Sequence, residues 1–131
     1  MKRQFLKTNL AVAAVLLSST LQAVAVSATP QAVFDSMRAN FRADKAAGLN
    51  ARYEFEISGA RGGTWSLEVK NGRCRVEKMT IEKPDVTLTA SDSDWVALAN
   101  GELNGAWAFV TGRLKIRGDQ SVARKLDEIF P

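Results

Sequence analysis

The chain contains no histidine in its 131 residues. That absence removes the usual general base, the base of a nucleophilic triad and the commonest zinc ligand. Cysteine is almost as scarce: Cys74 stands alone, so no internal disulfide can form and the fold must rest on packing. Its neighbours Arg73 and Arg75 would make it a reactive thiol if they lowered its pKa. Alternatively, Cys74 and Val76 alternate inward on a strand while both arginines face water. Long apolar runs are also lacking. The N-terminal run LAVAAVLL (Leu10–Leu17) is interrupted by Ser18, Ser19, Thr20 and Gln22, well short of the roughly 20 residues that span a bilayer.

Acidic residues are missing from positions 1–28, where Lys2, Arg3 and Lys7 precede that apolar stretch. A basic segment, a short apolar segment and then small residues are the order of a secretory signal. Two cleavage sites suit it, after Ala25 and after Ala28. The second is preferred because it leaves a domain of residues 29–131 that starts Thr29-Pro30. An uncleaved anchor is the competing reading, and either one implies export, to a periplasm or to the medium. Three of the 18 basic residues and none of the 14 acidic ones lie in 1–28, leaving 15 against 14, a net charge of +1. The remaining domain lacks the broad basic field of a nucleic-acid binder. Its 103 residues suit one domain with one core.

Periodicity then divides the domain. Thr29-Pro30 reads as an N-cap and first helical residue, with Phe34, Met37 and Phe41 at helical spacing until Gly48, which predicts a helix over 29–47. Strict alternation follows, with Tyr53, Phe55 and Ile57 on one face, then Trp65, Leu67 and Val69. Asn71-Gly72 supplies the residues of a type I′ hairpin turn. Further strands are expected from Arg73 to about Met79 and from Asp85 to Ala90, giving a four-strand antiparallel meander. The second half turns helical: Ser91 caps a helix bearing Trp95 and Leu98, 104–110 forms a shorter one, and Leu114–Arg117 adds a fifth strand. Asp119 caps a last helix with Val122, Leu126 and Ile129. The expected class is α+β, a five-stranded, mainly antiparallel sheet with helices on one face.

Candidate chemistry is thin. Glu54 and Glu56 belong to the outer face of a strand, and Asp92 and Asp94 to the first turn of a helix, where its dipole favours anions. The loop Gly59-x-x-Gly62-Gly63 joins two strands and opens no helix, so it is a turn and not a phosphate cradle. Arg113, Lys115 and Arg117 alternate on the fifth strand. They suit a solvated edge that discourages edge pairing, or a transient contact with anionic lipid headgroups. The surplus is apolar, with three Trp and six Phe, and periodicity does not tell a filled core from a lined cavity.

Three stretches carry a family resemblance: GTWSLEVKNG (63–72), DVTLTASDSDW (85–95) followed by Gly101, and AFVTGRLKIRGD (108–119). Together they resemble the sterol carrier protein 2 (SCP2) domain over nearly all of 30–131, here as an exported member of bacterial type. The resemblance implies an apolar tunnel between sheet and helices that accepts fatty acids, acyl-CoA, phospholipids or sterols, with no catalysis and no cofactor. By position in those motifs, Trp95, Leu98, Phe109 and Val110 are the expected lining. Phe34, Met37, Phe55, Leu67 and Leu88 join them by inward direction. The expected function is a non-catalytic carrier of one apolar ligand. The alternative is a module that presents a lipid or quinone to a partner enzyme.

Overall fold

The computed structural model describes residues 27–131. The basic and apolar leader, and the first cleavage position after Ala25, lie outside the described residues. Helix α1 (Pro30–Asn40) begins as its sequence dictates, with Thr29 Oγ1 accepting from the Ala32 N–H at 3.1 Å and proline in the first turn, and it buries Val33, Phe34 and Met37. It stops well before 47. Phe41 turns extended so that its ring meets Phe130 at 5.6 Å, and the Arg42 N–H donates to the Ile129 carbonyl at 2.8 Å. A short 3-10 turn, Ala43–Ala46, follows. Contact with the chain's last helix thus overrides the local helical pattern.

Strands β1 (Ala51–Ser58), β2 (Gly63–Lys70) and β3 (Arg73–Glu77) form the expected antiparallel hairpins, with Asn71 and Gly72 both at positive φ in the tight turn. The meander ends there. Strand β4 (Val86–Ser91) does not pair with β3. It lies parallel to β1, and β5 (Leu114–Gly118) closes the far edge antiparallel to it, giving the order β3-β2-β1-β4-β5. Two features of the sequence explain this. The 78–85 connection is too long for a tight hairpin, and it contains Lys83-Pro84, where Lys83 at positive φ turns the chain away from β3. The connection is tied to β1 by Arg52, which donates to the Glu82 carbonyl at 2.7 Å, and by Glu54, which accepts from the Ile81 N–H at 3.3 Å.

Register sorts the two faces. Across the strands Tyr53 faces Leu67, Phe55 faces both Trp65 and Leu88, Ile57 faces Ala90, and Leu88 faces Ile116. These are the inner rows. The outer face carries ion pairs, Arg52 with Glu68 at 3.4 Å and Arg117 with Glu56 at 3.6 Å. Helices α2 (Asp92–Ala99), α3 (Gly105–Val110) and α4 (Gln120–Ile129) are capped by Ser91, Asn104 and Asp119 respectively, each side chain accepting from a first-turn N–H. Their apolar sides, with α1, join the inner rows in one core.

Candidate functional site

Inner-face alternation brings Phe55 and Trp65 side by side, and helices α1 and α2 deliver Phe34 and Trp95 onto them. The Phe34 ring stacks on Trp65 at 4.6 Å and on Trp95 at 5.4 Å, and meets Phe55 edge-on at 5.1 Å. Phe55 in turn touches Trp95 at 5.1 Å. Rings at these separations attract beyond their area burial. Met37, Leu67 and Leu88 lie buried in the same core, and Leu98 packs against it half-buried.

Seven of the nine expected lining residues are therefore brought together. Phe109 and Val110 are not: they are 43% and 76% exposed, and Trp107 beside them is 60% exposed. Helix α3 is six residues long and inserts only Ala108, so the consecutive Phe109 and Val110 necessarily turn away. Trp65 is the ring of this four-membered cluster that the expected lining omitted. Its alternation with Leu67 placed it on the same face, which was the available signal.

Helix α2 contributes no fully buried residue; Trp95, Val96, Ala97 and Leu98 are all half-buried. A cleft of about 220 Å³ opens between α1 and the β3 edge, with Phe34, Trp65 and Val76 among its walls and Gln31, Asp35, Arg38, Glu77 and Lys78 as its polar lining. Lys78 Nζ sits 5.1 Å over the Trp65 ring, a cation–π contact. A second cleft of about 250 Å³, on the outer face, is walled largely by polar side chains such as Arg52, Glu68 and Arg75.

The acidic pairs are occupied structurally. Asp94 binds Arg113 at 2.7 Å while its backbone N–H donates to the Ser91 cap at 3.1 Å, and the guanidinium holds its carboxyl below the usual range. Asp92 anchors the 59–63 loop through the Arg61 N–H at 3.1 Å. Glu56 holds Arg117 and accepts from Thr89 Oγ1 at 3.3 Å. Of the basic stripe, Arg113 and Arg117 are thus engaged with carboxylates, while Lys115 lies exposed between them. Cys74 lies opposite Val69 on the inner face, as the alternation requires. Burial raises its thiol pKa against a smaller opposing pull from Arg38, in keeping with the inward, structural reading. Among the described residues no group of three or more His, Cys, Asp or Glu side chains is placed to hold a metal ion, and no helix is long and apolar enough to cross a membrane.

The SCP-2 sterol transfer family matches residues 23–131, most of the chain. The chain belongs to that family. Sterol carrier protein 2 of Homo sapiens is 39% identical over 80 residues, which cover 59% of this chain and 15% of the human protein. Hydroxysteroid dehydrogenase-like protein 2 of Xenopus laevis is 31% identical over 111 residues, covering 83% of this chain and 27% of that protein. The chain thus spans well under a third of these relatives' length. Among solved structures, palmitated SCP2-like 2 of Aedes aegypti aligns with a TM-score of 0.62 at 23% identity, over 77% of this chain and 93% of that one. The five-stranded α+β fold is that of the SCP2 domain.

Proposed function

We propose that this protein is a non-catalytic carrier that takes one apolar, acyl-type ligand between the sheet and helices α1 and α2, outside the cytoplasm. The observation that carries the reading is the cluster of Phe34, Phe55, Trp65 and Trp95 under a helix that is nowhere fully buried. An acyl chain entering there exchanges contacts with rings for contacts with rings, so room is made by side-chain rotation and a modest lift of α2. Phe109 and Val110 would turn inward with that lift and complete the lining. Each methylene leaving water contributes about 0.8 kcal/mol. A chain of about twelve then gains roughly 10 kcal/mol gross, against association costs of about 4–15 kcal/mol, which leaves a reversible complex suited to transfer. The palmitate of the mosquito protein supports an acyl cargo. The absence of histidine and the structural engagement of Asp92, Asp94, Glu54 and Glu56 support a role without catalysis.

Titration of the delipidated chain with a saturated fatty acid, followed by thermal melting, tests the reading. Saturation at one ligand per chain with a higher melting temperature is expected, since ligand at about 100 times its Kd adds roughly 2.7 kcal/mol. No binding and no shift would overturn it. A second reading, presentation of a lipid or quinone to a partner enzyme, is favoured by one observation, the exposed Trp107, Phe109 and Val110. It requires these side chains to stay exposed in the ligand-filled protein, which solvent quenching of Trp107 fluorescence would report. The alternating Arg113, Lys115 and Arg117 along β5 extend the proposal to a transient contact with an anionic bilayer. It would show as salt-sensitive binding to phosphatidylglycerol vesicles.

A further inference from the structure

Ser27 and Asn100 stand 73 positions apart, yet they exchange two hydrogen bonds. The Ser27 N–H donates to Asn100 Oδ1 and Asn100 Nδ2 donates to the Ser27 carbonyl, each at 2.8 Å. One carboxamide thus pairs both backbone groups of a single residue, much as a residue on a neighbouring strand would, and both residues are half-buried. Ser27 lies just ahead of α1, which begins at Pro30, and Asn100 is the C-cap of α2. The pair therefore joins the start of one covering helix to the end of the other, the two helices that stack Phe34 on Trp95.

Helix α2 depends on such ties, because none of its residues is fully buried. Its N-terminal end has two others: Asp92 accepts from the Arg61 N–H at 3.1 Å, and Asp94 holds the Arg113 guanidinium at 2.7 Å. At the C-terminal end the N–H groups of Asn100, Gly101, Glu102 and Leu103 all return to carbonyls of α2 itself, those of Val96, Ala97 and Leu98. Among the described residues, the hydrogen bonds that leave this end for another part of the chain go to Ser27.

We propose that the Ser27–Asn100 pair is a clasp that holds the C-terminal end of α2 down over the aromatic cluster, and that removal of the chain before Thr29 releases it. Of the two cuts that the sequence offers, the one after Ala25 leaves the clasp whole and the one after Ala28 deletes it. The choice of cut thus sets how often α2 opens. The clasp does not need the carrier reading. Where that reading holds, the trimmed chain loads and unloads faster, since α2 is the element that lifts.

Amide hydrogen exchange of the full chain, read at residues 97–103, tests the clasp. Only backbone atoms of Ser27 take part, so Ser27→Ala should leave exchange unchanged. Ser27→Pro removes the donor and should speed exchange about fivefold, the factor of one ordinary net hydrogen bond. Asn100→Ala removes both bonds and should speed it by up to about thirtyfold. A chain beginning at Thr29 should match Asn100→Ala, and adding that substitution to it should change nothing more. Unchanged exchange in the chain from Thr29, or a further rise when Asn100→Ala is added to it, overturns the clasp whether or not the protein binds lipid. Failure of methyl laurate to bind a chain whose exchange follows the expected pattern overturns the carrier reading and leaves the clasp in place.

Discussion

Replacing Phe34 by alanine would remove the ring on which both tryptophans stack. Phe34 is almost wholly buried and touches Phe55, Trp65 and Trp95 at centroid separations of 5.1, 4.6 and 5.4 Å. A buried Phe→Ala change costs about 3–5 kcal/mol through lost transfer energy and the residual void. The upper part of that range applies here, because three ring contacts are lost at once and the neighbours come from three different elements, which limits collapse. A domain of this size has about 5–15 kcal/mol in all, so the variant should fold at low temperature and lie close to its threshold. Urea unfolding followed by circular dichroism measures the loss as a lower midpoint at constant slope. Ligand binding should move the opposite way: in the carrier reading the ligand enters among these rings, so the space freed by Phe34→Ala should let methyl laurate bind more tightly than in wild type. A loss under about 1 kcal/mol would refute the packing argument. Unchanged or weaker affinity in a folded variant would refute the placement of the ligand beside Phe34.

Other expectations follow from single features. Asp94 is held below its ordinary pKa by Arg113, so the stability it supplies is present above the unfolded value near 3.9 and is lost as pH falls through the lower folded value. Asp94→Asn should therefore lower the urea midpoint slightly at pH 7, and the difference from wild type should shrink as pH falls through the lowered folded value. Cys74, its thiol pKa raised by burial, should react slowly with iodoacetamide at pH 8 in the folded protein and fast in urea; equal rates would contradict its inward placement. Gly118 sits at φ +105°, and an added Cβ would collide with the Asp85 carbonyl oxygen, so Gly118→Ala should cost about 1–3 kcal/mol in urea unfolding. Ser27 exchanges two 2.8 Å hydrogen bonds with the Asn100 side chain. A cut after Ala25 keeps these bonds and a cut after Ala28 loses them. Chains beginning at Val26 should therefore unfold at a higher urea midpoint than chains beginning at Thr29, and equal midpoints would contradict this.

Local chemistry made much of the fold legible. Alternation put Tyr53, Phe55, Ile57, Trp65, Leu67 and Val69 on one face, Asn71-Gly72 fixed the hairpin, and Thr29, Ser91 and Asp119 marked helix starts because a short oxygen-bearing side chain preceded each helical pattern. Three things were illegible for one common reason: they are set by partners distant in sequence. The end of α1 depends on Phe130 and Ile129, the parallel seat of β4 on β1 and β5, and the rotation of α3 on the burial of Ala108. Motif resemblance named Phe109 and Val110 by position, yet a six-residue helix presents only a narrow inward face. For the site, periodicity delivered the rings but not their mutual stacking. The pairing of Ser27 with Asn100 belongs to three-dimensional placement alone, since the two residues stand 73 positions apart.

The most direct test is native mass spectrometry of the protein purified from the exported fraction of its own cells, followed by organic extraction and identification of what is released. One apolar compound per chain, lost on denaturation with a matching fall in mass, is the expected result. A chain of bare polypeptide mass whose extract contains no stoichiometric apolar compound would contradict the carrier function.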